Sequence, residues 1–187
     1  MSVSADEITY CTSIKPTQFN DIWKRHFESG FRISYETNKN EFIFYSSETL
    51  TLFGFSLNRA QADSLIKIID KYIEWNNKAI AKKVKIEKEI ATLPIWLTFW
   101  KMGDEWSMGT DTEFSFYFFS QTEIIHQLLF IFPKITSRSN EFDTHKGETL
   151  YFDFKNASKL RSVLLKENVV TFLAGAKKQA EIEKEFK

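Results

Sequence analysis

The sequence predicts an α+β fold, a mainly antiparallel sheet with packed helices. Three observations predict it. The 187 residues include 19 Phe, and many of these fall in alternating runs, the signature of half-buried strands. One long stretch instead repeats its apolar residues at helical spacing. The chain has only 6 Gly and 3 Pro, so few long loops separate the elements.

The elements follow in order. Residues 1–15 are polar and are expected to be loosely held. Thr17 reads as a helix cap, followed by Phe19, Ile22, Trp23, His26 and Phe27 at helical spacing, with Gly30 as the stop. Phe31, Ile33 and Tyr35 then share one face of a strand, residues 37–40 make a turn, and Phe42 and Phe44 return on the next strand. A third strand is expected over residues 49–57. Asn58 caps the longest helix, whose stripe is Ala62, Leu65, Ile66, Ile69, Tyr72 and Ile73. The stripe weakens at Asn76 and Asn77. Residues 78–89 are mostly charged, which predicts a bend or a projecting, solvated extension ending at Leu93 and Pro94.

The second half opens with a strand over residues 95–101, a loop to Asp111 and an aromatic strand over residues 113–119. Ser120 to Glu123 matches a capping box, and Ile124, Ile125, Leu128, Leu129 and Phe132 fit a helix stopped by Pro133. The run at residues 128–135 is short and aromatic, so a strand fits it as well. A polar loop over residues 136–147 precedes a strand at residues 149–154. Asn156 reads as the cap of a helix through Leu160, Val163 and Leu164, and Asn168 as the cap of another. Residues 177–187 are charged and expected to fray as a C-terminal helix. The domain reading is one α+β unit over residues 16–176. Glu48-Thr49-Leu50 and Glu148-Thr149-Leu150 each open a strand that leads into a helix. This echo suggests two strands-then-helix halves, at about 16–92 and 93–176.

Composition restricts the function. Lys plus Arg and Asp plus Glu each number 25, so the chain lacks the basic balance of a protein that grips nucleic acid with its whole surface. Its single cysteine, Cys11, cannot form an internal disulfide, which fits a reducing compartment. Residues 1–10 include Asp6 and Glu7 and no apolar run, and no apolar stretch approaches a membrane span. The expected location is cytoplasmic, with no membrane partner.

No motif assigns chemistry. Three scattered histidines and one cysteine do not supply the clustered ligands of a zinc site. His26 and His126 lie on or beside apolar stripes, where a packed histidine is the ordinary case. Six glycines include neither a phosphate loop nor a nucleophile elbow. The acidic run over residues 102–113 lacks the ligand alternation of a calcium loop. No catalytic residue, metal or cofactor is therefore expected. One enzyme reading survives, a scattered site around Asp143 and His145 in the polar loop.

The leading expectation is a non-enzymatic binding protein that acts by protein–protein contact, of the immunity, inhibitor or anti-defence kind. Its expected contact residues are Trp106, Trp75, Asp104 and Glu105, because tryptophans in polar surroundings commonly anchor partners. The charged segment over residues 78–89 adds a recognition surface. The alternative is a single-stranded nucleic-acid binder that uses an aromatic sheet. Phe114, Phe116 and Phe118 line one side of their strand, and Tyr117 and Phe119 the other. The strands-then-helix layout is similar in outline to that of the Whirly and PUR nucleic-acid-binding families, and that likeness of layout implies the same kind of partner.

Overall fold

A ring of antiparallel strands forms the body of the protein. The computed structural model describes residues 8–20, 23–47, 51–101, 107–136, 142 and 144–185. In chain order the elements are β1 (Ile8–Ile14), β2 (Thr17–Asn20), β3 (Arg25–Glu28), β4 (Gly30–Glu36), β5 (Glu41–Ser47) and β6 (Thr51–Asn58), then α1 (Arg59–Lys82). They continue with β7 (Glu87–Lys101), β8 (Ser107–Ser120), β9 (His126–Phe132), β10 (Ile135–Thr136), β11 (Thr144–His145) and β12 (Glu148–Phe152). Two helices, α2 (Phe154–Leu164) and α3 (Lys166–Glu185), complete the chain. The main sheet has 10 strands in the order β1-β4-β5-β6-β7-β8-β9-β12-β2-β3, and β10 pairs separately with β11. The α+β class expected from the sequence is the class observed.

The N-terminal strands join the two ends of this sheet. Ile14 faces Phe31 and Thr17 faces Glu28, and between them the Ser29 N–H donates to the Pro16 carbonyl at 2.8 Å. One register therefore runs through β1 and β2 on one side and β4 and β3 on the other. They form a single bent hairpin. Its β4 arm pairs with β5, and its β2 arm pairs with β12. The inner face is filled by phenylalanines that meet across the ring. Phe31 of β4 touches Phe152 of β12 at 5.8 Å, and Phe53 of β6 touches Phe132 of β9 at 5.1 Å.

Helix α1 packs on the inner side through Ala62, Leu65, Ile68, Ile69, Tyr72, Asn76 and Ala79. The Tyr72 hydroxyl donates to the His126 carbonyl at 2.9 Å, and Arg161 of α2 pairs with Asp70 of α1. Among the described residues, no helix is long and apolar enough to cross a membrane.

Several expectations change. The helix expected from Thr17 to Gly30 is the hairpin β2–β3. Phe19 and His26 are seven residues apart, which is two helical turns, but they also face each other across this hairpin. A helix and a tight hairpin can thus share a spacing. Residues 126–132 of the helix expected at 124–132 form strand β9, so the strand alternative given for 128–135 holds as far as Phe132. Its capping signature closes a turn instead: the Thr122 hydroxyl accepts from Ile124 N and Ile125 N, while Ile124 and Ile125 stay exposed. Residues 8–14, expected to be loosely held, form β1 with Ile14 buried.

Of the two readings of the charged stretch, the bend holds and the projecting extension does not. Lys83 adopts the left-handed conformation and its N–H returns to Ala79 and Ile80, which ends α1. The chain then enters β7, which contains Pro94 and spans the expected boundary between halves at 92 and 93. Asp153 caps α2 in place of Asn156. Asn156 instead exchanges two hydrogen bonds with the Lys15 backbone, at 3.2 and 3.3 Å, and holds the bend between β1 and β2 against α2.

Candidate functional site: a lysine-rimmed cleft at Trp75

Helix α1 carries two stripes. One is the apolar stripe buried in the ring. The other is Lys71, Trp75, Lys78 and Lys82, spaced four, three and four residues apart and therefore on one side of the helix. At the C-terminal end of α1 this second stripe meets the start of β7. Val84 and Ile86 of the link after the helix and Lys88 of β7 all border the same side. Between helix and strand lies a cleft of about 280 Å³. Trp75, Ala79, Val84, Ile86 and Phe118 supply its apolar lining, and Lys78, Lys82 and Lys88 supply its charge.

Trp75 is half-buried. Its ring meets Phe118 edge-on at 6.0 Å, and the ammonium groups of Lys71 and Lys88 each lie 5.4 Å from its centroid. Such contacts favour a cation over an indole face. Glu74 accepts from both Lys71 and Lys78, and these bonds, that with Lys78 foremost, hold its carboxyl below the usual range. Among the described residues, Lys82 and Lys88 have no carboxylate partner, and no carboxylate lines the cleft. The arrangement provides an apolar hollow inside a positive field.

The other face of β7 is opposite in character. Glu87 and Glu89 point outward beside Phe119 and Tyr117, and the Tyr117 hydroxyl donates to Glu89 at 2.7 Å. Along the outer face an edge-to-face series runs Phe119, Tyr151, His26, Phe19. The described strand residues facing outward include Glu28, Glu36, Glu41, Glu87, Glu89 and Glu113 against Arg32, with Lys15 and Lys39 paired to Glu28 and to the buried Glu36.

Of the contact residues expected from sequence, Trp75 lies in the cleft, while Trp106, Asp104 and Glu105 lie outside the described residues. Asp143 also lies outside them. His145 is in β11, opposite Ile135. Among the described residues no cluster of His, Cys, Asp or Glu could hold a metal ion. The serine–histidine contact in the structure is buried: Ser120 Oγ is 2.8 Å from His126 Nδ1 and accepts from Ile86 N at 3.0 Å. Burial holds His126 below its ordinary value. The pair fastens the 84–86 link to β8 and β9 and does not line the cleft. Burial pushes the Cys11 thiol up to about 11, the reverse of an activated nucleophile.

The sequence places Lys78, Lys82 and Lys88 in the charged recognition segment over residues 78–89, but does not join them to Trp75 in one site. Their signal was present in the spacing of Lys71, Trp75, Lys78 and Lys82, but Lys88 belongs to another element and joins them only through the fold. No protein-family model, curated protein or solved structure matches this chain.

Proposed function

We propose that the protein is a non-enzymatic binding module that engages another protein at the Trp75 cleft. The supporting observation is the cleft itself, with a half-buried tryptophan over an apolar floor and a rim of lysines that have no carboxylate among the lining groups. Protein contacts draw their affinity from a few such anchors, commonly Trp, Tyr or Arg, seated in hollows that exclude water. The nucleic-acid alternative draws less support. Its platform is the outer sheet face, where Lys15 and Lys39 pair with Glu28 and Glu36 but Glu41, Glu87, Glu89 and Glu113 still outnumber Arg32 and disfavour phosphate.

The test is affinity capture by the intact protein from lysate of its source cell, with and without nuclease. A stoichiometric protein partner is expected that survives nuclease, is lost with Trp75→Ala and is kept with His145→Ala. Both variants are first checked for an unchanged fold. A nuclease-sensitive partner, or loss of binding with His145→Ala alone, sinks this reading. Inhibition of the captured partner's activity by the pure protein is the further result expected of an inhibitor or immunity protein.

A further inference from the structure

The cleft adjoins an unfinished sheet edge. β6 pairs with β7 only from Trp96 to Lys101, whereas β8 pairs with β7 from Glu87 onward. Among the described residues, residues 87–93 therefore pair on the β8 side alone, with a register break between Glu89 and Ala91. Pro94, which has no N–H, closes this free stretch, and its carbonyl is taken by the Gln61 side chain at 2.8 Å. An unpaired edge presents a row of N–H and C=O groups to any extended chain that fits.

Resting on the reading of the cleft as a docking site, we propose that the partner contributes one extended segment that adds to this edge of β7. The segment places an apolar side chain in the Trp75 cleft and carboxylates on Lys82 and Lys88. Side chains of an added strand alternate between faces. Inward positions meet Ile86, Lys88 and Trp75, where apolar and acidic residues fit. Outward positions meet Glu87 and Glu89, where Lys or Arg fit. Charge on an edge also blunts indiscriminate pairing, because a strand with the wrong alternation meets like charges on both faces. The same residues thus exclude most extended chains and select the complementary one.

A displayed library of random 12-residue peptides, selected on the intact protein, tests this. The expected winners carry a large apolar residue with Asp or Glu two positions away, and Lys or Arg at intervening positions. Lys82→Glu with Lys88→Glu should weaken a winner at least ten-fold, and a charge-swapped peptide should recover binding to that variant. N-methylation of the edge-facing amides of the peptide should weaken it comparably, whereas methylation of the intervening amides should not. These lysines lie outside the buried core, so the double variant keeps its fold. A library without winners, winners without the alternation, or affinity indifferent to charge reversal or to N-methylation overturns the proposal. If the captured native partner is lost with Trp75→Ala but withstands both charge reversals, the cleft reading stands and strand addition falls.

Discussion

At the scale of single residues, burial follows the alternation within β8 closely. Phe114, Phe116 and Phe118 are fully buried on the inner face, while Ser115, Tyr117 and Phe119 keep partial exposure on the outer one. Phe116 packs edge-on against Phe130 at 4.7 Å, on the neighbouring strand. Truncating a fully buried aromatic removes its transfer free energy and leaves a cavity that a ring of strands cannot easily collapse. Phe116→Ala is therefore expected to cost about 3–5 kcal/mol, measured by urea denaturation. An unchanged midpoint would mean that the inner and outer faces are reversed. Gly147 shows a different constraint. Its φ is +82°, and a Cβ there would lie 2.5 Å from the Phe132 carbonyl oxygen, so the turn into β12 accepts only glycine without rearrangement.

At the scale of elements, β7 does two jobs. Its second part is an interior strand between β6 and β8, and its first part is an edge. Helix α1 differs from it in that one side is buried along most of its length, as far as Ala79. Hydrogen exchange separates these cases. Amides of α1 should be protected through Ala79, beyond the point near Asn76 where the sequence suggests the packing ends. In residues 87–93 protection should alternate on either side of the register break between Glu89 and Ala91, because successive N–H groups of an antiparallel strand point to opposite sides. Those facing β8 should exchange orders of magnitude more slowly than those facing the free edge. Uniform protection of this stretch would show that the edge is already covered, and would remove the basis for strand addition.

At the scale of the whole molecule, closure depends on residues far apart in sequence. The hairpin formed by residues 8–36 pairs with β5 nearby and with β12 more than a hundred residues away. Phe31 and Phe152 meet where these arms come together. A double-mutant cycle of Phe31→Ala and Phe152→Ala reports on closure directly. Rings in contact are expected to couple by about 0.5–1.5 kcal/mol. Additive effects would mean that the two ends of the sheet are not joined. With so many long-range pairings, search for the closing register is an inherent part of folding.

Much of the fold was legible locally, and the cleft only in part. The alternation of Phe42 and Phe44, the stripe from Ala62 to Tyr72 and the Asn58 cap are properties of neighbouring residues, and their physics needs no distant partner. The α+β class and the inward phenylalanines follow from such patterns. Tertiary structure decided the rest. Whether Phe19 and His26 share a helix or a hairpin depends on β12 offering an edge to β2. Whether residues 124–132 coil or extend depends on β8 and β12 lying on either side of them. Lys88 enters the cleft because Lys83 turns the chain out of α1 and the alternation of the next strand carries Lys88 inward toward Trp75. Spacing within an element is encoded by adjacent side chains, but which backbone pairs with which, and hence where free edges and clefts remain, is set by hydrogen bonds between segments that only the closed ring brings together.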